Sequence, residues 1–187
     1  MGDVIQLDWQ RGFRESDVAK LSAGDSVEIT GRVLTLRDAS AARLALALAR
    51  GEPLPVSLHG QIMYAVGPSP AKPGQIIGSA GPTTTERMAR YLPALFAAGV
   101  RAVIGKGELH GSDMRAFTSS GAIYFAAIGG LGALLAKQIS AANVIGYDDL
   151  GPEALYALDI EAFPAVVIID RAGRNFHESA RAQWRTG

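Results

Sequence analysis

The sequence predicts an α/β protein built as one domain. Three observations carry this: short β-branched apolar runs, amphipathic segments placed between them, and glycine- or proline-rich stretches at the junctions. A chain of 187 residues, 48% hydrophobic and 19% charged, can bury a sizeable core as an ordinary soluble globular protein.

The elements follow in order. "SVEITGRVLTL", residues 26–36, alternates β-branched and polar positions and predicts one or two strands. "RDASAARLALALARG" predicts a helix, with Asp38 complementing the positive end of the helix dipole and Gly51 as its stop. "QIMYAVG" is a strand that runs into the turn-rich "PSPAKPG". Met88, Tyr91, Leu92, Leu95 and Phe96 then make a helical core-facing stripe, which Pro93 should kink or shorten. "VRAVIG", "AIYFAAIGG", "NVIGY" and "AVVIID" suit buried strands, with "LGALLAKQI" as a helix between the second and third. The end, "SARAQWRTG", is expected to fray.

Composition removes several classes of function. Eighteen basic residues balance eighteen acidic ones, with no basic patch interleaved with aromatics, so no nucleic-acid partner is implied. No apolar run has the length of a membrane span and the first residues do not read as a signal peptide, so no membrane association and a cytoplasmic location are expected. Cysteine is absent, and His59, His110 and His177 lie far apart without a ligand spacing, so no metal site is expected on this chain.

The chemistry gathers around "IIGSAGPTTTERMARY", where glycines precede three threonines and a helix. Two uses of the threonines compete. Thr83 as N-cap, with Glu86 completing a capping box, needs no ligand. Alternatively Gly78 and Gly81 let the backbone approach an anion held at the helix start, with Arg87 one turn in, four residues after Thr83, facing the same ligand. "AVIGKG" adds Lys106 between glycines just past a buried strand, either a solvated loop lysine or a ligand group at a strand's carboxyl end. The Walker spacing is missing, so it is not a P-loop. Arg37 stands at a strand-to-helix junction, a common place for a surface arginine. Together with Arg87 and Lys106 it would clamp a small dicarboxylate. "AIGGLGALLAK" matches a dinucleotide turn only at Gly130 and Gly132, since Leu135 occupies the third glycine position. Tight strand-to-helix packing accounts for it.

These segments resemble a known family. "AGDSVEITGRVLTLRDAS", "GQIMYAVGPSPAKPGQIIGSAGPTTTERM", "AVIGKG", "GAIYFAAIGG", "LGPEAL" and "FPAVVIIDRAGRNF" are similar, in this order, to the C-terminal domain or β subunit of class I fumarase and tartrate dehydratase iron–sulfur hydro-lyases. The resemblance covers residues 23–176, leaving 1–22 as an N-terminal extension and 177–187 as a tail.

It implies a swivelling β/β/α fold and a hetero-oligomer with an iron–sulfur α subunit. That partner would carry the four-iron four-sulfur cluster, and this chain would bind none. It further implies Thr83 as catalytic base, with Arg37, Arg87 and Lys106 binding the carboxylates, and leaves Thr84 or Thr85 free to orient substrate, with Thr84 taken as the substrate-binding one. Hydration of fumarate, dehydration of tartrate or a related hydroxy acid, and silent dicarboxylate binding are the functions compatible with this pattern. One departure stands out: the family reads RDAAH where this chain has Ala41 in place of the histidine.

Overall fold

The computed structural model describes residues 3–10 and 13–184. Seven strands form one mixed sheet: β1 Ile5–Trp9, β2 Ser26–Leu36, β3 Ile62–Ala65, β4 Ala102–Gly105, β5 Ile123–Ala126, β6 Ile139–Gly146 and β7 Leu155–Ile169. The helices are α1 Glu15–Val18, α2 Asp38–Arg50, α3 Leu92–Ala97, α4 Gly111–Ser120, α5 Gly132–Leu135 and α6 Phe176–Trp184.

Strands β2, β3, β4 and β5 run parallel, in that order. β7 then pairs antiparallel with both β5 and β2, which closes these five strands into a ring. β1 extends β2 in parallel, and β6 lies antiparallel on the other edge of β7. The sheet residues divide between two cores, as alternation along each strand requires. One core holds Val27, Ile29, Tyr64, Ile104, Phe125, Phe163 and Val167 inside the ring. The other sets Leu34, Met63, Val103 and Tyr124 against Leu44, Met88, Leu92 and Phe117 of the helical layer.

Most predicted elements appear with their stated causes. α2 ends at Gly51, whose φ of 64° is the left-handed geometry that closes a helix. Pro93 sits in the first turn of α3, where its missing N–H costs nothing, and the chain before it is a separate 3-10 turn, Thr85–Tyr91. The stripe holds: Met88, Leu92 and Leu95 are fully buried.

Other elements differ. Residues 1–22 contribute β1 and α1, and Leu7, Trp9, Val18 and Leu21 are each 3% exposed or less, so this segment is core rather than appendage. "LGALLAKQI" gives only one turn of α-helix and a short 3-10 turn before Ile139 starts β6. "NVIGY" falls in an edge strand and Val144 is 47% exposed. β7 is far longer than "AVVIID": Pro164 pairs opposite Glu28 and Ala162 takes a φ of 46° at a bulge, with its N–H donated to the Thr30 hydroxyl at 3.0 Å. The tail is helical to Trp184, and residues 185–187 lie outside the described residues.

Asp170 ties the amino-terminal segment to the end of β7. Its carboxylate, with no exposed surface, accepts the N–H groups of Ala23 at 3.1 Å, Ala172 at 2.9 Å and Arg174 at 3.1 Å, and pairs with Arg174 Nε at 2.6 Å.

Deleting residues 1–22 should therefore cost much of the folding free energy. Each of the four large buried side chains is worth about 1.5–3 kcal/mol, against a total of about 5–15 kcal/mol for a domain. Thermal denaturation followed by circular dichroism should show a collapsed or absent transition; an unchanged midpoint would return the segment to the status of an extension.

Candidate functional site

The parallel run β2–β5 brings four carboxyl ends to one rim, the location where open α/β sheets bind ligands. Arg37 follows β2, Gly67 follows β3, Lys106 follows β4 and Gly129 follows β5. The threonine segment crosses this rim. Thr83 donates its N–H to Ala65 O at 2.7 Å, Thr85 donates to Lys106 O at 3.0 Å, and Thr84 bridges Lys106 in parallel register. Three of the residues singled out in the sequence, Thr83, Thr84 and Lys106, thus lie side by side. All three are half-buried.

The capping box is not formed. Thr84, not Thr83, is the N-cap, its side chain makes no capping bond, and the segment that follows is a 3-10 turn. With three residues per turn, Arg87 stands over Thr84 rather than Thr83, and its N–H points to Thr84 O at 3.4 Å. Thr85 is the buried member of the trio. Its hydroxyl lies 3.1 Å from that of Tyr124 on β5.

Arg37 and Arg87 meet through Asp38. Arg87 Nε donates to Asp38 Oδ1 at 3.1 Å and its terminal nitrogen lies 2.9 Å from Oδ2, while Arg37 Nε is 3.7 Å from that same Oδ2. Glu153, from the segment before β7, stands 4.0 Å from Arg37 Nε and accepts the Ala39 N–H at 2.8 Å. The Arg37 N–H donates to Ser40 Oγ at 3.0 Å, which anchors the start of α2. Among the described residues Arg37 Nε and Asp38 Oδ2 are buried without an aligned hydrogen-bond partner. Arg37 Nε thus faces two carboxylates at ion-pair distance without an aligned hydrogen bond to either. Lys106 enters no ion pair among the described residues, so its charge is uncommitted.

Glycines make room for these groups. A Cβ on Gly67 would collide with the Arg37 guanidinium, and one on Gly105 with Thr85 Oγ1. Gly107 has a φ of 90° and lies beneath the Thr84 methyl, at 3.3 Å from where a Cβ would stand; a Cβ on Gly129 would rest in ordinary contact with the Lys106 stem, at 3.5 Å. The G-K-G motif thus lets the threonine segment lie against β4. Gly132 serves packing, as the sequence suggested: Gly81 lies against it and Ala80 donates its N–H to its carbonyl at 3.0 Å.

Ala41 faces the helix–sheet core with no exposure, so the position that carries histidine in the family pattern lies beneath the rim. His110 precedes α4 with its side chain 68% exposed, beside Glu108 at 3.8 Å. Sequence reasoning missed Asp38 as the link between the arginines, and missed Glu153 and Tyr124 entirely. Asp38 was detectable as a carboxylate adjacent to Arg37. The other two come from distant segments and carry no local signal.

The sequence as a whole matches a known family. The chain belongs to the Fumarase C-terminus family, which it matches over residues 2–180. It is 34% identical over 170 residues to a putative L(+)-tartrate dehydratase subunit beta of Methanocaldococcus jannaschii, covering 88% of this chain and 87% of that protein. It is 35% identical over 180 residues to a putative fumarate hydratase class I of Geobacillus stearothermophilus and 29% over 181 residues to the aerobic class I fumarate hydratase of Escherichia coli K12. Those cover 94% and 95% of this chain but 34% and 33% of the relatives, so the chain spans about a third of these longer proteins.

Gly105→Ala should destabilise the protein by about 1–3 kcal/mol through overpacking alone, because the Gly105 backbone is not in the left-handed region. Adding Thr85→Ala removes the colliding hydroxyl and should recover part of the loss. Denaturant titration of the single and double variants checks this, and an equally unstable double variant would remove Thr85 as the cause.

Proposed function

We propose that this chain is the β subunit of an iron–sulfur-dependent hydro-lyase that adds or removes water across a C4 dicarboxylate, as in the interconversion of fumarate and malate. One observation carries the proposal: Thr83, Thr84, Lys106, Arg37 and Arg87 converge on one rim at the carboxyl ends of β2, β3 and β4. Membership of the family and the match to nearly all of a β subunit support it. The division of the strand residues between two cores supports the swivelling β/β/α assignment that goes with it.

The chain's own donors do not fit an iron–sulfur cluster. It has no cysteine, and no grouping of three or more His, Asp or Glu side chains suits a metal among the described residues. The cluster is assigned to the α subunit, and the steps below use this chain's residues alone. Lys106, Arg37 and Arg87 hold the two substrate carboxylates, and Thr84 orients one of them. Thr83 removes the proton next to a carboxylate, or returns it in the hydration direction.

A threonine hydroxyl is a weak base in water. Beside these cations, in a cleft closed by a partner, its charged form is favoured. The same cations stabilise the negative charge that develops on the substrate carboxylate as the proton leaves. Asp38 holds the two arginines in place before substrate arrives. Exposed apolar side chains near the rim, Ile128, Leu131 and Leu134 after β5 and Ile76 in the loop after β3, suit coverage by the α subunit. The Methanocaldococcus relative favours tartrate as a second substrate for the same site.

In the assembled enzyme Thr83→Ala should lower kcat for fumarate hydration by about 100-fold or more with an unchanged melting midpoint. Lys106→Ala should mainly raise KM. Retained turnover in Thr83→Ala would refute the base. A wild-type complex that binds dicarboxylate without turnover on fumarate or tartrate would make the chain a silent binding module.

A further inference from the structure

Behind the rim lies a chain of hydroxyls that takes no part in the proposed chemistry. Tyr124 is fully buried on β5, with its ring 5.5 Å from that of Phe117, and its hydroxyl donates to Gly107 O at 3.0 Å. A phenol has a single proton, and Gly107 takes it. The 3.1 Å contact with Thr85 must therefore be a bond donated by the Thr85 hydroxyl to the phenol oxygen. The chain has one direction: Thr85 hydroxyl, Tyr124 hydroxyl, Gly107 carbonyl. Burial pushes the Tyr124 phenol pKa up, so its proton stays in place through the working pH range.

Both ends of this relay belong to the two loops that carry the site. Thr85 directly follows Thr83 and Thr84, and its backbone N–H already binds Lys106 O at 3.0 Å. The carbonyls of Lys106 and of Gly107 are thus both tethered to Thr85, one by the backbone and the other through Tyr124. Gly107, with its φ of 90°, supplies a turn that needs such a tether to hold one orientation. Packing alone asks for no hydroxyl here, since Tyr124 shares the helix–sheet core with Met63, Val103 and Phe117, where a phenylalanine ring would fill the same space.

We propose that Thr85 and Tyr124 are a positioning pair that sets the Lys106 ammonium relative to the Thr83 hydroxyl by fixing the G-K-G loop against the threonine segment. The proposal rests on the roles given above to Thr83 and Lys106. Neither member of the pair touches substrate.

The test is the double variant Thr85→Val/Tyr124→Phe, which removes both hydroxyls and keeps both shapes, so that the fold is retained while the tether is lost. In the assembled enzyme kcat should fall by at least about tenfold and KM should rise, because small misplacements of reacting groups are costly. The melting midpoint should stay near that of the wild type, and the single variant Thr85→Ser, which keeps both hydroxyls, should retain kcat. In the full chain, amide hydrogen exchange at residues 105–109 should accelerate while β2 and β7 stay protected. Unchanged kcat, KM and exchange in the double variant would overturn the proposal. If the wild-type complex shows no turnover, the hydro-lyase assignment fails separately. The pair is then judged by exchange and by calorimetric titration with malate: faster exchange with weaker binding supports it, and no change in either overturns it.

Discussion

β7 runs antiparallel to β2, from Ala157 opposite Leu34 to Val166 opposite Ser26, and there meets β5, so the parallel strands are locked into a ring rather than left as an open sheet. Everything at the rim depends on this closure. The pairing fixes where β2 ends, and the register Leu36 to Ala65 then fixes the ends of β2 and β3 together. Arg37 and the backbone that receives Thr83 are set at one level as a result. The same closure brings Glu153, from the segment leading into β7, beside Arg37. The site is thus a property of strand register before it is a property of side chains.

The second constraint is volume. Positively charged side chains normally stand apart, yet here two arginines and a lysine stand on one rim beside a buried threonine. Glycines at 67 and 105 supply the space, because a Cβ there would meet the Arg37 guanidinium or the Thr85 hydroxyl. Asp38 offsets part of the repulsion between the arginines, while the third rim cation, Lys106, makes no ion pair among the described residues. Pairing holds the arginines in place, and on the proposed function that prior organisation lowers the cost of binding a dicarboxylate.

These two constraints account for which expectations failed. "LYALDIEAFP" did not read as strand because Pro164 and two acidic residues break the alternation, and only the bulge at Ala162 with its bond to Thr30 lets the ladder continue through it. The amino-terminal residues read as an extension because their polar positions dilute the pattern. Pairing with β2 buries Leu7 and Trp9 regardless. The capping box was a sound local expectation for Thr83 and Glu86, but the bonds of the threonine segment to Ala65 and Lys106 shift the turn by one residue and tighten it to 3-10 geometry.

By itself the sequence determined the α/β class, the helix α2 with its glycine stop and the core-facing stripe from Met88 to Phe96, and it named the candidate residues that the structure places on one rim. All of these rest on local spacing and residue chemistry, which a linear chain displays openly. Only the tertiary structure decided which threonine is buried, that Asp38 joins Arg37 to Arg87, and that Tyr124 stands behind the lysine loop. The Thr85–Tyr124 and Asp38–Arg87 contacts join residues 39 and 49 positions apart, and no local pattern encodes a hydrogen bond whose partners meet only after the ring has closed.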